Sequence, residues 1–375
     1  MFSVAELFAQ KKPTAVTCSI AGELPPVNGQ SISLGVAGPV TGAHGNMMLV
    51  AGGANFPDSM PWQGGKKKYY SDIYLFTKKG NQFVPVTGDF NLQEGIAYSA
   101  CCSAPKGILY AGGENEKGIS DKAFLLKWDA EAKSVVTETL PHLPVAVSNA
   151  SATSYNNIVF IAGGEKPDGV SDKFWSIDLG SSASGWKELP QLPKPVSHAV
   201  FIAIKSDGVL KLYLLGGRRK TVQGISELYS DVYEFNTTKN QWTELEPLPY
   251  PLSAGTGVAA GSAGIVLFGG DRGTTFSKVE NYLAAISKTV NAAEKEQLIQ
   301  QKNQLLAAHP GFSKEILYYD ITTGKCKTAG TIPYPTPVTT TAFWWDNKVV
   351  IPSGEIKAGV RTPQILMAKL KRWLK

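Results

Sequence analysis

The chain is poor in the residues that hold metals or form disulfide frameworks. Its 375 residues include only 4 histidines and 4 cysteines, and none of them has the close spacing of a metal-binding motif. Such a set offers no cluster for zinc or copper, which argues against a copper oxidase. The sequence therefore predicts no metal and no other cofactor, and we interpret all four cysteines as small buried residues.

Long apolar runs and concentrated charge are also missing. No stretch of about 18 apolar residues occurs, so no segment is expected to enter a membrane. The net charge is +6, from 37 basic and 31 acidic residues, and the basic residues are scattered. This argues against nucleic-acid binding, which needs a concentrated basic stripe, but suits attraction of a small anion. No Gly-x-Ser-x-Gly nucleophile motif, P-loop or repeated sialidase-type box is present.

What the sequence has in abundance is glycine, with 38 residues, and much of it recurs in pairs. Five times, a β-branched or aromatic run ends in a small residue and a glycine pair, at intervals of about 51 to 60 residues. These intervals are the period of kelch repeats. A sixth, degraded copy ends in Ser353 and Gly354. The five pairs are Gly52-Gly53, Gly112-Gly113, Gly163-Gly164, Gly216-Gly217 and Gly269-Gly270.

An alternating stretch precedes each glycine pair, and two further strand-like segments follow it. Four antiparallel strands make one propeller blade, so six copies predict a single all-β, six-bladed kelch-type β-propeller over residues 14–375. The last copy lacks an outer strand, whereas the run from Ala15 to Ile20 precedes the first copy without a partner. We therefore predict that this N-terminal strand completes the sixth blade and closes the ring.

Residues 1–13 are interpreted as a leader that precedes the propeller. Their short length and Glu6 argue against a complete secretory signal, yet Leu7-Phe8-Ala9-Gln10 resembles the last residues of one. On this basis we expect a periplasmic protein, with the cytoplasm as the alternative. The sequence predicts no oligomeric state.

One segment, at about residues 274–313, departs from the repeat. Apolar residues at helical spacing, such as Leu298 and Leu305, predict helices that end before His309-Pro310-Gly311. The segment falls between the second and third strands of the fifth blade. An insertion of this length is most simply a lid, and the alternative is a helical decoration that only packs on the blade rim.

The position directly after each glycine pair carries an ionisable side chain in five of the six copies. Equivalent positions of successive repeats stand in a ring around the channel of a propeller, so we expect these groups to converge on one channel mouth. Like charges brought together shift one another's pKa values, as they do in acid/base sites. Alternatively, the side chains point outward or pair with neighbouring cations. This column consists of Ala54, Glu114, Glu165, Arg218, Asp271 and Glu355.

Arginines and a long first-blade loop supply further candidate binding residues. A guanidinium binds a carboxylate through two parallel hydrogen bonds, which makes Arg218, Arg272 and Arg361 candidate anion ligands. The loop after Gly53 is long enough to reach over the mouth, and its Trp62 is a candidate for stacking on a sugar face. Structural salt bridges and rim packing are the alternatives for these residues.

Residues 353–362, Ser-Gly-Glu-Ile-Lys-Ala-Gly-Val-Arg-Thr, resemble the Asn-Gly-Glu-x-Lys-x-Gly-x-Arg-Thr segment of the bacterial N-acetylneuraminate epimerases, which are kelch-propeller sialic acid mutarotases. The stretch from Ala51 to Phe56, Gly112-Gly-Glu114 and the helical insertion are similar too, so the resemblance covers nearly the whole chain. The segment lies last here rather than mid-chain, which resembles the cyclically permuted mutarotases. Ser353 and Ile356 depart from the pattern, outside its two functional positions.

The resemblance implies an isomerase that interconverts sialic acid anomers without a cofactor, with Glu355 and Arg361 as the active-site pair. Glu355 would remove the proton of the anomeric hydroxyl, and Arg361 would hold the carboxylate of the acidic sugar. The alternatives are a non-catalytic kelch module that binds a sugar or a protein, and a mutarotase for another acidic sugar. The residues expected to bind the sugar or to carry the second proton are Asn55, Trp62, Glu114, Glu165, Arg218 and Asp271.

Overall fold

A computed structural model describes residues 13–26 and 31–372 of the chain. They form a six-bladed β-propeller in which each blade is a four-stranded antiparallel sheet, which confirms the predicted fold class. From the channel outward, the strands of blade one are Val40–His44, Met47–Ala51, Ile73–Lys79 and Gln82–Val86, and those of blade two are Ala100–Ala104, Gly107–Ala111, Ala123–Asp129 and Ser134–Leu140. Blade three consists of Ser151–Tyr155, Ile158–Ala162, Phe174–Asp178 and Lys187–Glu188, and blade four of Val200–Ser206, Val209–Leu215, Val232–Asn236 and Gln241–Leu245. Blade five consists of Thr256–Ala259, Gly264–Phe268, Glu315–Asp320 and Cys326–Thr331.

The sixth blade combines both ends of the chain. Its strands Phe343–Trp345, Lys348–Pro352 and Gln364–Arg372 are joined by the N-terminal strand Pro13–Glu23, which pairs antiparallel with Gln364–Arg372. The predicted closure by an N-terminal strand is therefore confirmed. Apart from Pro13, the predicted leader lies outside the described residues, and export stays a prediction.

The core is divided into six apolar clusters, one between each pair of adjacent blades. This division follows from the architecture, because each sheet of a propeller packs both faces against neighbours. Between blades six and one, the cluster includes Ala21 of the N-terminal strand, and Trp345 packs on Phe83 with ring centroids 5.4 Å apart. The N-terminal strand thus contributes apolar packing as well as backbone hydrogen bonds.

The glycine pairs end the second strand of each blade in a backbone conformation that side chains rarely adopt. At the first glycine φ lies between 61° and 68°, and a Cβ on Gly163 would lie 2.0 Å from the Val196 carbonyl oxygen. Ser353 takes the same place in the degraded sixth copy, with φ 55°. Its hydroxyl accepts the Val36 N–H at 2.9 Å, which ties blade six to blade one.

A closed ring of six backbone hydrogen bonds surrounds the channel. Each blade contributes one residue with φ between 51° and 62°. The N–H of this residue donates to the carbonyl of the equivalent residue in the preceding blade, at N···O distances of 2.7 to 3.0 Å. Five of these residues are not glycine, so the chain accepts local strain at the channel. The ring residues are Gly38, Tyr98, Asn149, His198, Ala254 and Thr339.

Helices α1 (Thr274–Lys288) and α2 (Ala292–Ala307) form the predicted insertion between the second and third strands of blade five. No helix in the described part of the chain is long and apolar enough to cross a membrane. The helices occupy the place that a two-stranded hairpin takes in the other blades. Those hairpins pair Ala54–Asn55 with Lys68–Tyr69, Glu114–Asn115 with Gly118–Ile119, Glu165–Lys166 with Gly169–Val170, Arg218–Lys220 with Ser226–Leu228, and Glu355–Lys357 with Val360–Arg361.

Candidate active site

The column of residues that follow the glycine pairs lies around one mouth of the channel. Each member forms an antiparallel bridge with the residue that precedes the ring residue of its blade, as Glu355 does with Val338. The six positions are therefore structurally equivalent. The five ionisable members, Glu114, Glu165, Arg218, Asp271 and Glu355, all line one cavity of about 320 Å³.

Glu355 is held by its own hairpin with one carboxylate oxygen engaged. Its Oε1 accepts the Gly359 N–H at 2.9 Å and lies 3.5 Å from Arg361 Nη1. Gly359 permits this tight turn because its φ is 74°. Among the described residues, no donor occupies Oε2, so this oxygen remains available to a ligand in the cavity.

Arg361 lies behind Glu355 rather than in the cavity wall. Its side chain is 4% exposed, its Nε donates to the Ala54 carbonyl at 3.4 Å, and its guanidinium covers the Phe56 ring at 4.9 Å from the centroid. Nη1 is buried without a hydrogen-bond partner in the described structure, and Glu355 is its nearest carboxylate contact. Because a buried guanidinium needs a compensating partner, Glu355 is positioned as the counter-ion of Arg361.

Glu165, His198 and Arg218 form a connected network on the opposite blades. His198 Nε2 lies 3.1 Å from Arg218 Nη2, and its Nδ1 lies 3.0 Å from Ser197 Oγ. Since a guanidinium can only donate, Nε2 is the acceptor and Nδ1 carries the proton. Burial and the neighbouring Arg218 charge hold the pKa of His198 well below 6.5, so the imidazole is neutral. Glu165 Oε1 lies 3.7 Å from Arg218 Nη2.

Glu114 accepts two hydrogen bonds through one carboxylate oxygen. Its Oε1 accepts from Lys67 Nζ at 2.9 Å and from the Tyr69 hydroxyl at 2.8 Å. Burial and the hydrogen bond to Glu114 raise the pKa of Tyr69 to about 12, so this hydroxyl stays a donor. Lys67 also lies over the Tyr98 ring at 4.9 Å, which fixes its ammonium at the cavity wall.

The helical insertion forms one side of the cavity. Phe276 and Val279 of α1, Leu306 of α2 and Phe312 after it line the space, and the Arg218 guanidinium stacks on Phe276 at 4.5 Å. Asp271 precedes α1 and accepts the Gly273 N–H through Oδ1 at 2.7 Å. The insertion therefore supplies apolar surface to a site whose other walls are mostly polar.

Three further residues singled out from the sequence also lie outside the cavity lining. Asn55 is 4% exposed, and its amide binds the Gly35 carbonyl and the Tyr70 hydroxyl, both at 2.8 Å. Trp62 packs beside the tip of the Glu355 hairpin, where a Cβ on Gly359 would lie 3.2 Å from its ring. Arg272 pairs with Glu315 at 2.6 Å outside the cavity lining. Asn55 and Trp62 thus support the walls, and neither is among the residues that line the cavity.

The cavity also contains residues that sequence reasoning missed. Tyr98 and Asn149 each lie 14 residues before the first glycine of their pair, an offset that is 18 residues at His198 and 15 at Ala254, so spacing alone would have identified only part of the ring. Lys67 and His309 lie in connections of unequal length, which carry no periodic signal. Over the described ranges, no three His, Cys, Asp or Glu side chains are grouped so as to hold a metal ion.

Comparisons with known proteins agree with this architecture. The solved structure of YjhT superimposes with a TM-score of 0.63 at 14% identity, covering 94% of this chain and 98% of that one, so the two share a fold. The curated N-acetylneuraminate epimerase of Haemophilus influenzae (strain PittEE) is 28% identical over 249 residues, 63% of this chain and 60% of the relative. That of Salmonella typhi is 27% identical over 233 residues, covering 61% and 58%.

The matched region thus spans about 60% of the length of these curated relatives. A shorter match, to the N-acetylneuraminate epimerase of Brucella melitensis biotype 1, reaches 41% identity over 123 residues, or 30% of each chain. The family model for N-acetylneuraminate epimerase matches residues 140–373, which include Glu165, Arg218, Asp271, Glu355 and Arg361. On this evidence the chain belongs to the N-acetylneuraminate epimerase family.

Proposed function

We propose that this protein is a mutarotase that interconverts the anomers of N-acetylneuraminate by opening and reclosing the sugar ring. The observation that carries the proposal is Glu355, which lines a cavity of about 320 Å³ and is backed by the buried Arg361, within a chain of this family. A cavity of this size suits one monosaccharide. Its convergent carboxylates and cations suit a polar, anionic sugar.

Glu355 is the proposed general base. The substrate is a 2-keto acid sugar closed as a hemiketal, so opening begins when the hydroxyl on C2 loses its proton. Glu355 Oε2 can take this proton, while the Gly359 N–H holds Oε1 and fixes the direction of the carboxylate. A positioned base of this kind accelerates proton transfer about 10²- to 10⁴-fold. Because the exchange already runs in water, such a gain suffices, and acid/base chemistry alone balances the reaction.

The geometry favours Arg218, rather than Arg361, as the ligand of the sugar carboxylate. Arg361 was expected in this role from the sequence, but it is 4% exposed and stands behind Glu355. Arg218 lines the cavity with its side chain 19% exposed, and Lys67 is the other cation in the described lining. Only Nη2 of Arg218 is engaged by His198 and Glu165, so the rest of the guanidinium can bind a carboxylate. Arg361 is then a positioning residue for Glu355.

Anomer exchange measured by NMR on a panel of sugars tests the proposal. The protein is expected to accelerate exchange of N-acetylneuraminate and to leave neutral hexoses at their uncatalysed rates. Faster exchange of a different acidic sugar would replace the substrate but keep the reaction. Tight binding of N-acetylneuraminate without accelerated exchange would contradict catalysis and favour a sugar-binding module.

A further inference from the structure

We propose that His309 is a second catalytic residue, whose Nε2–H donates a hydrogen bond to the ring oxygen of the sugar as the bond from C2 to that oxygen breaks. This inference rests on the proposed function, because it assigns the partner of Glu355 in the same reaction. His309 follows α2, and its side chain lines the cavity together with Glu355 and Asp271.

The turn after α2 fixes which nitrogen of His309 carries the proton. Nδ1 accepts the Gly311 N–H at 3.0 Å, so the neutral ring must carry its proton on Nε2. The ring also packs on Phe312, with centroids 5.1 Å apart. Among the described residues, no acceptor binds Nε2. A buried imidazole that lines a cavity, with one nitrogen fixed and no acceptor on the other in the described structure, is arranged to bind a ligand.

The turn that carries His309 lies directly against the hairpin that carries Glu355. A Cβ on Gly311, whose φ is 92°, would lie 3.3 Å from the Ile356 carbonyl oxygen. The charges around the imidazole are Asp271 and Glu355, which raise its pKa, and Lys357, which lowers it. Burial is the largest effect and brings the pKa of His309 below 6.5, so the neutral form predominates at pH 7.

The other polar groups of the cavity are less suited to this role. Glu114 and Glu165 act as acceptors, since Glu114 accepts a hydrogen bond from Lys67 and Glu165 accepts one from Asn149. Of the other neutral N–H donors in the lining, the Asn149 amide donates to Glu165 at 3.1 Å, and His198 Nδ1 lies 3.0 Å from Ser197 Oγ. His309 is therefore the uncharged N–H donor that shares the cavity with Glu355 and has no competing acceptor in the described structure.

The complete step conserves its protons and electrons. Glu355 Oε2 takes the proton from the C2 hydroxyl, the oxygen left on C2 forms the ketone, and the electron pair of the broken bond moves to the ring oxygen. The His309 Nε2–H stabilises this developing alkoxide without losing its proton. Glu355 then returns the abstracted proton to the former ring oxygen. Rotation of the open chain exposes the other face of the ketone, and the reverse sequence closes the opposite anomer.

Two substitutions distinguish the effect of the His309 N–H donor from the effect of the shape of its side chain. His309→Phe keeps a ring on Phe312 but removes the donor, and should slow anomer exchange at saturating N-acetylneuraminate about 10²- to 10³-fold, the usual effect of losing one such donor. The dissociation constant should change less than about threefold, because the bond strengthens only as charge develops. His309→Gln, which can donate from its amide, should exchange at least tenfold faster than the Phe variant. His142→Phe, at an exposed position, is the matched control.

The rates of these variants decide whether His309 donates to the ring oxygen. A His309→Phe variant that exchanges anomers at more than a third of the wild-type rate overturns it, as do Phe and Gln variants that are equally slow. If the Phe variant does not fold, the wild-type Nε2 proton signal is followed by NMR. It should move downfield with N-acetylneuraminate but not with the carbocyclic analogue that has CH₂ for the ring oxygen. No shift with the sugar contradicts the proposal. Wild-type protein that accelerates no exchange overturns the proposed function, and this inference with it.

Discussion

The Glu280 carboxylate of α1 accepts two hydrogen bonds from Ser226 in the hairpin of blade four, from the N–H at 2.6 Å and from the hydroxyl at 2.9 Å. Glu280 is 7% exposed, so this contact is buried. It fastens the insertion of blade five to its neighbour and thereby holds Phe276 against Arg218. The insertion is thus held in place as one wall of the cavity, and its role as a lid stays a prediction.

Breaking this contact should loosen the cavity wall. Glu280→Ala leaves the Ser226 N–H without its acceptor, which should cost about 1 to 3 kcal/mol of unfolding free energy or release the insertion. We expect weaker binding of N-acetylneuraminate by calorimetry. Glu296→Ala, an exposed carboxylate on α2, is the control and should bind as the wild type does. Equal affinity in both variants would assign the insertion to decoration.

The N-terminal strand should stabilise the whole propeller through one buried face. Val16 is 3% exposed in the cluster between blades five and six, whereas the adjacent Thr17 is exposed. Val16→Thr buries a hydroxyl of almost the same shape and should lower the free energy of unfolding by about 1 to 3 kcal/mol. The reverse change, Thr17→Val, should alter it by less than about 0.5 kcal/mol. Denaturant titration that finds both variants as stable as the wild type would contradict a closing role.

Acid should destabilise the fold through His198. Its pKa is held well below 6.5 in the folded protein by burial and Arg218, so the unfolded chain binds the proton first. The stability that the neutral imidazole contributes is complete above pH 6.5 and falls as the pH drops below it, by at most about 1.4 kcal/mol per pH unit. His198→Asn tolerates the φ of 56° and should flatten this fall between pH 6.5 and 5. An unchanged slope in urea titrations would refute the assignment.

Replacing Arg218 by glutamine should change the affinity for the sugar, whereas replacing Arg361 by glutamine should change the rate of anomer exchange. Arg218→Gln should lose N-acetylneuraminate affinity, by about 2 to 5 kcal/mol if the carboxylate is desolvated in the pair. The same variant should bind the neutral carboxamide of the sugar as well as the wild type does. Arg361→Gln should retain affinity but exchange anomers more slowly, because Glu355 loses its positioning partner. The opposite pattern would return the sugar carboxylate to Arg361.

The blades and the column of residues that follow the glycine pairs could be predicted because both depend on residues close together in the sequence. Each glycine pair requires positive φ, and Ser353 shows that the position persists even where glycine is lost. The contents of the cavity were less predictable. Lys67 and His309 reach it from loops whose lengths differ between blades, and the burial of Arg361 depends on Phe56 and Ala54, about 300 residues away in the chain. Such long-range contacts leave no spacing in the sequence.

The most direct test of the account is anomer exchange by Glu355→Gln. The substitution keeps the shape of the side chain and its acceptor for the Gly359 N–H, but removes the base. The account predicts that exchange of N-acetylneuraminate at saturation slows about 10²- to 10⁴-fold, while the dissociation constant stays within about threefold of the wild type. A Glu355→Gln protein that exchanges anomers at the wild-type rate would contradict the central claim and make Glu114 or Glu165 the next candidate base.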